Sequence, residues 1–385
     1  MENKRLFYID RLRVFVVLSL IPFHAALTYL RFGNVYIKTP VQGIEALQFL
    51  IFSVPLGDFF MTLLFFLSGI ASFYSLSKRG VREYVGERVK KLLIPLLLGL
   101  SLLCPTTAYL KALFEGYEGG LISFFPLFWQ KLVHYLGYGY LWFILYLFVF
   151  SMLCIPLFNR WKIDEKHIKR IGSFLIKGHR LLLPFAVIIV FELLLRPFFH
   201  GVQTLVFDWA NDAVYLSVFI FGYLFAADER IGEKLKEYLK PSIICFIVSL
   251  TVLFYVNIKW QVLGSDELYL TPLWAVTKGI YECSNIILLI NVGKVRFNKP
   301  GKVIKYLSRA SFKIYIFHFF PVTLFTFLFS KLEIPIFVKF LLAVLLSYIS
   351  VLMVYELCRR VYLFTNFQSS QQTCTMKIVK TLDKK

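Results

Sequence analysis

Stretches of about twenty mostly apolar residues recur ten times along this 385-residue chain, and that repetition limits the folds open to it. A helix of that length crosses the hydrocarbon of a bilayer, and its backbone polar groups satisfy one another while it does so. The ten segments run roughly over 9–30, 48–76, 92–113, 139–158, 181–199, 207–227, 241–258, 271–293, 310–330 and 335–357. Only 17% of residues are charged and 58% are hydrophobic, whereas a soluble domain has about 25% and 45–50%. A soluble core cannot hide 42 Phe and 22 Tyr behind so few charges. A soluble enzyme, a disordered chain and a disulfide scaffold are therefore excluded. The fold class expected is an all-α polytopic membrane protein of about ten transmembrane helices.

The placement of Lys and Arg orients those spans. Of 43 such residues, 33 fall at the N-terminal end, in the loops after spans two, four, six and eight, and in the tail. The intervening loops hold eight, and Lys278 and Lys313 lie within spans. Cytoplasmic loops carry the excess of positive charge, so both termini are expected in the cytoplasm. The net charge of +20 is then a signature of topology and anionic lipid rather than of nucleic acid. The expected location is the cytoplasmic membrane.

Several local features refine this organisation. Pro55-Leu56-Gly57-Asp58 is placed to break or tilt the long second span. The stretch 121–137 is short and punctuated, and reads as interfacial or re-entrant. The first apolar run is too long for a cleavable signal and lacks a small-residue cleavage site. The six cysteines show no metal-ligand or redox spacing. Residues 5–357 form one membrane domain, and the polar tail 358–385 is expected to be cytoplasmic and disordered.

Ionisable residues inside spans are costly and face a cavity or a partner. Arg13 and His24 lie on the first span eleven residues apart, which returns them to within about 20° of one helix face and separates them by about 16 Å. Asp10 is spaced to pair with Arg13. Arg clamps phosphate or carboxylate, and imidazole titrates near neutral pH, as a general base must. The plainer reading makes Arg13 a topology anchor and His24 a packing residue. His318 is a second deep histidine, open to the same two readings. Glu192 and Arg196 are spaced to pair on span five, while Asp58, Asp208, Asp212, Glu282 and Glu356 are further intramembrane candidates. Ser68-Gly69 permits either close helix approach or close approach to a ligand. There is no Gly-rich phosphate loop and no metal-ligand cluster, so neither a metal nor a tightly bound cofactor is expected.

These residues together resemble the acyltransferase 3 family of integral membrane acyltransferases. Arg13, ten residues and His24 fit the family's signature on the first span, preceded by Phe7-Tyr8-Ile9-Asp10. Phe65-Phe66-Leu67-Ser68-Gly69, the basic Arg88-Val89-Lys90-Lys91 before Pro95, Leu141-Trp142-Phe143, Phe221-Gly222-Tyr223 and Tyr315-Ile316-Phe317-His318 with Pro321 resemble its later elements. Within the family the chain looks most like the glucan biosynthesis protein C branch, associated with succinylation of periplasmic glucans. Two positions depart from the pattern: Lys91 stands where a second Arg is common, and Tyr140 where many members have His.

The resemblance implies an O-acyltransferase. An acyl-CoA-type donor, bringing an acetyl- or succinyl-class group, would be reached from the cytoplasm. Its phosphates would meet Arg13, Arg88 and Lys91, and its acyl end would lie near His24. The acceptor would be a carbohydrate hydroxyl on the far side. His24, Asp10 and His318 are the catalytic candidates. Arg13, Ser68, Gly69, Arg88, Lys91, Tyr140, Trp142, Glu192 and Arg196 are the binding candidates. Arg196 could favour a charged acyl group. Expected partners are the donor, the glycan acceptor and membrane lipids, without nucleic acid. The competing reading is a transporter or flippase of a saccharide or lipid, whose buried charges would line a path. A sensor or scaffold would leave two deep histidines unexplained.

Overall fold

The computed structural model describes residues 6–132, 139–201, 203–264, 267–268 and 271–382, without the side chains of Leu263 and of residues beyond 361. Among the described residues every regular element is a helix. The first is α1 (Phe7–Leu27). Span two is α2 (Leu47–Gly57) and α3 (Phe60–Lys78), separated at Asp58, just after the Pro55-Leu56-Gly57 run that predicted a break. Span three is α4 (Val81–Arg88), α5 (Ile94–Leu98) and α6 (Cys104–Phe114), joined by π-helical turns at Val89–Leu93 and Gly99–Leu103. Pro95 and Pro105 follow these turns. Proline cannot supply the N–H that a regular α-turn needs there, so the backbone opens by one residue.

Leu121–Gln130 forms the short α7. It buries Phe124 and Phe128 and exposes Ile122, as an interfacial helix does. The rest of the stretch read as re-entrant, from 133, lies outside the described residues. The chain continues through α8 (Trp142–Leu153), α9 (Ile155–Ile163), α10 (Glu165–Leu175), α11 (Leu183–Leu195), α12 (Trp209–Ala227), α13 (Glu229–Lys234), α14 (Leu239–Leu263) and α15 (Pro272–Arg296). It ends with α16 (Lys302–Phe317), α17 (Phe319–Ser330) and α18 (Ile336–Leu382). The last helix continues its backbone through the polar tail for which the sequence predicted disorder.

Among the described residues, six helical stretches are long and apolar enough to cross a membrane, or up to nine if each of three bent pairs is one span. Helix α1 is long enough as well, but Asp10, Arg11 and Arg13 crowd its first half. Each of the ten predicted segments falls on a helix or a bent pair. The protein is an all-α, multi-pass membrane protein.

Cross-links between loops gather the basic segments at one end. Arg11 donates to Lys299 O at 3.1 Å, Lys162 to Arg79 O at 2.9 Å, and Arg230 to Lys169 O at 3.3 Å. The opposite end is tied by Gln261, which accepts from Arg31 N at 2.8 Å and donates to Val41 O at 3.1 Å. In the middle, α3 and α12 pack closest. A Cβ at Gly69 would stand 2.0 Å from Phe219 O, and one at Gly222 would stand 2.1 Å from Phe66 O. Neither position tolerates a side chain, and the two backbones approach as small residues allow in membranes. Gly69 therefore serves helix packing in this structure, the first of its two readings.

Candidate active site

His24 lies one turn from the end of α1, about 26 Å along the helix from its start by the ordinary rise. His318 lies at the break between α16 and α17, which bend by 56°. Pro321 explains the bend. Its ring displaces the carbonyl of Phe317 and its nitrogen cannot donate. The kink turns His318 inward, where it is 1% exposed.

The two imidazoles meet with ring centroids 5.3 Å apart. Two residues almost 300 positions apart, on the first and ninth predicted spans, are thus brought into one site. Aromatic rings enclose them. Phe23 and Phe319 stand edge-on to His24 at 5.1 and 5.0 Å, and Tyr140 stands edge-on to His318 at 5.6 Å. Tyr140 also stacks on Phe319 at 4.8 Å.

Hydrogen bonds fix the second histidine. His318 Nδ1 lies 2.6 Å from Tyr315 O. A carbonyl only accepts, so Nδ1 carries the proton and Nε2 keeps its lone pair. That Nε2 is buried with no hydrogen-bond partner, and so is His24 Nδ1. Buried polar atoms almost always find partners, and orphans on two adjacent rings mark a place where something binds or moves. The wall is held by exchange: Tyr140 Oη donates to Ile316 O at 2.8 Å, and Tyr315 Oη donates to Tyr140 O at 2.6 Å. Tyr140 is therefore at the site, bonded through its hydroxyl to the kinked span.

Lys38 was not a candidate in the sequence, because nothing local marks a residue eleven positions beyond a helix end. Its ammonium donates to Leu27 O, Leu30 O and Phe32 O at 3.4, 3.0 and 2.5 Å. These carbonyls close the C-terminal end of α1, where a cation is favoured. Burial pushes Lys38 down to about 8.

The other candidates separate into three groups. Asp10 stands fourteen residues before His24, about 21 Å along the same helix, and so it is not part of the histidine pair. It accepts from Ser308 at 2.9 Å and lies 3.7 Å from Arg13. Arg88 and Lys91 take different partners. Arg88 donates to Ser72 Oγ at 3.0 Å and covers the Tyr84 ring, whereas Lys91 is exposed and pairs with Glu87. Arg88 ends α4, and Lys91 lies within the π-turn across Val89–Leu93. Ser68 meets this group through its carbonyl, which accepts from Ser72.

The third group is a buried ionic network. Arg196 holds Glu192 through two bonds of 2.7 Å and donates to Asn211 at 2.8 Å. Lys278 donates to Glu192 at 2.8 Å and also holds Glu282. Asn211 passes to Asp208 at 2.8 Å, which accepts from Tyr146 at 2.7 Å. Trp142 packs on Tyr146 and Tyr215 at the edge of this network, with centroids 5.2 and 5.8 Å away. The predicted Glu192–Arg196 pair is present. Lys278 was counted in the sequence only as a charge within a span, and its spacing to Glu282 was the overlooked signal.

Comparison with known proteins settles the class. An acyltransferase domain model matches residues 6–356. The chain belongs to the acyltransferase 3 family. It is 24% identical over 339 residues to "Glucans biosynthesis protein C" of Escherichia coli O157:H7 (strain EC4115 / EHEC) and to that of Escherichia coli O157:H7, covering 84% of this chain and 83% of each of those proteins. No solved structure matches. The enzyme is an acyltransferase embedded in a membrane, and the His24–His318 pair is its candidate active site.

Proposed function

We propose that this enzyme moves an acyl group of the acetyl or succinyl class from an acyl-CoA-type thioester to a carbohydrate hydroxyl, and that the His24–His318 pair handles the proton. The orphaned His24 Nδ1 and His318 Nε2 carry the proposal. His318 Nε2 is held as an acceptor by the bond from Nδ1 to Tyr315 O. A small rotation of His24 brings its Nδ1–H to that acceptor and leaves His24 Nε2 with a lone pair. His24 is only partly buried whereas His318 is buried, and the substrates are placed against His24.

The hydroxyl oxygen attacks the thioester carbonyl as His24 Nε2 takes its proton. The new C–O bond forms, the C–S bond breaks, and the imidazolium returns the proton to the departing thiolate. Products are the ester and the free thiol, with no net proton change. His318 orients His24 and stabilises its charged form, as a third group does for a catalytic base.

The glucan-related name of the relative supports a carbohydrate acceptor. Clustering of the basic loops at one end supports donor phosphates arriving there, beside Arg13 and Arg88, with that end in the cytoplasm and the histidines toward the far side. The cytoplasmic membrane of a cell is the natural setting. Glycan mass spectrometry tests the function in cells lacking the gene and complemented by wild type or His24→Ala. A mass increment of one acyl group that returns with wild type alone is expected. Its return with His24→Ala would remove the proton role.

A further inference from the structure

Asp58 and Thr62 stand at the break in span two with unmet hydrogen bonds. Asp58 follows α2, about 16 Å along that helix from its start and so well inside the membrane. An ionisable group at such a depth faces a cavity or a partner. Asp58 is only partly buried, and its carboxylate makes no hydrogen bond or ion pair with the described residues. Capping α3 would explain it, but Phe59 takes the cap position and no side chain bonds there. Thr62 lies four residues on, and the near-helical backbone of Asp58 and Phe59 keeps the two on one face. It is fully buried, yet its hydroxyl has no partner. Thr277, Thr323 and Thr326, also buried in helices, each bond the carbonyl four residues back. The break itself is held: Pro55 O accepts from Tyr281 Oη at 2.7 Å, and Phe59 meets the Tyr281 ring edge-on at 6.4 Å. The same segment borders the histidines. A Cβ at Gly57 would stand 3.0 Å from the Phe23 ring, and Phe60 meets that ring edge-on at 5.7 Å. Phe23 is in turn edge-on to His24 at 5.1 Å.

We propose that Asp58 and Thr62 bind the acceptor, with hydroxyls of a neutral saccharide donating to the Asp58 carboxylate and sharing one more hydrogen bond with Thr62 Oγ1. The inference rests on the acyl-transfer reading and names the acceptor-binding residues that reading leaves open. The chemistry of the pair selects the ligand class. A carboxylate only accepts, whereas a threonine hydroxyl both donates and accepts, so the two match a ligand that carries several hydroxyls. An anionic ligand is repelled by Asp58. A metal ion meets two cations, Lys278 and Arg196, whose charges bear on Asp58 against one carboxylate, Glu192. A neutral polyhydroxyl group meets neither objection. One hydroxyl held at Asp58 leaves others on the same saccharide free to reach His24 past the edge of Phe23.

The test separates acceptor binding from donor binding and from folding. Membranes containing the full chain receive neutral glucans extracted from cells lacking the gene, with acetyl-CoA or succinyl-CoA as donor. Acylated glucan is measured by mass spectrometry while each substrate is varied in turn, with membranes carrying His24→Ala as background. For Asp58→Asn the acceptor KM is expected to rise at least about tenfold, as loss of a charge-assisted hydrogen bond implies. For Thr62→Val it should rise several-fold, and Thr62→Ser, which keeps the hydroxyl, should restore it. The donor KM should stay within about twofold throughout. Because neither side chain has a partner in the protein, the thermal midpoints of Asp58→Asn and Thr62→Val in detergent should equal or exceed that of wild type. An acceptor KM unchanged in both variants would overturn the inference, and so would a rise confined to the donor KM. A lowered midpoint in both variants would assign the pair to the fold, through a trapped water for example, and would overturn it as well. If wild type adds no acyl group from either donor above the His24→Ala background, the acyl-transfer reading itself falls, and this inference with it.

Discussion

Gly69 and Gly222 form a reciprocal contact in which the Cα of each glycine faces a backbone carbonyl of the opposite helix. The carbonyls are Phe219 O for Gly69 and Phe66 O for Gly222, and an added Cβ would come within 2.0 and 2.1 Å of them. No side-chain rotation relieves such a clash, because the neighbour is backbone. Gly69→Ala must therefore push α3 and α12 apart. Overpacking typically costs about 1–3 kcal/mol, and a backbone contact this short belongs at or above the upper end. A lower thermal midpoint in detergent is expected for Gly69→Ala and for Gly222→Ala, read by loss of monodisperse protein on heating. An unchanged midpoint for both would mean the helices are not so close.

Tyr140 and Tyr315 exchange hydroxyl-to-carbonyl bonds across the kink, and that exchange sets where His318 points. Tyr140→Phe keeps the ring stacked on Phe319 but leaves Ile316 O without its donor. About 1 kcal/mol of stability is expected to go. Because the lost bond holds the wall and touches no reacting atom, kcat should fall several-fold with KM for the donor little changed. A KM effect alone, with kcat intact, would place Tyr140 against the substrate instead.

Much of the architecture was legible because membranes simplify the physics. The apolar segments, the break after Pro55 and the gathering of basic loops follow from hydrocarbon thickness and charge placement, which act locally in the sequence. The pairing of Glu192 with Arg196 followed from helix spacing for the same reason. The site was less legible because its contacts are long-range. Arg13 and His24 share a helix face, yet the structure pairs His24 with His318, almost 300 positions away. Asp10 carries the right chemistry but sits a membrane leaflet from the imidazoles. Lys91 keeps the charge of a basic motif and is exposed on the π-turn that precedes Pro95, and proline spacing alone does not announce such a turn.

The ionic network gives a graded series. Glu192 neutralises two cations, so Glu192→Ala leaves Arg196 and Lys278 buried with insufficient charge. Breaking a buried pair costs about 3–5 kcal/mol, and expression as folded protein should collapse. Glu282→Gln should be milder, since Oε2 of Glu282 has no hydrogen-bond partner and Lys278 retains Glu192. Size-exclusion profiles of the two variants check the order. Equal losses would mean the two carboxylates share the charge evenly.

Lys38 gives the chain a pH dependence whose sign is fixed by burial. Its folded-state value lies at about 8, below the ordinary lysine value of 10.5. Between those values the unfolded chain binds more proton than the folded one, so stability rises with pH across that window. The stabilisation is fully present above the unfolded value and is lost as pH falls through about 8. Over the same rise the ammonium becomes an amine, and its grip on Leu27 O, Leu30 O and Phe32 O loses its charge-assisted strength. Two effects on α1 therefore oppose each other: the global midpoint gains while the end that carries His24 loosens. Lys38→Met removes both. Comparing wild type with Lys38→Met from pH 7 to 10 should show a thermal midpoint that climbs with pH in wild type alone. Amide exchange at the last turn of α1 should quicken above pH 8 beyond the intrinsic base-catalysed rate in wild type, and should already be fast in the variant at pH 7. A midpoint with the same pH slope in both proteins would mean that Lys38 titrates as an exposed lysine does, and that the three carbonyls do not hold it.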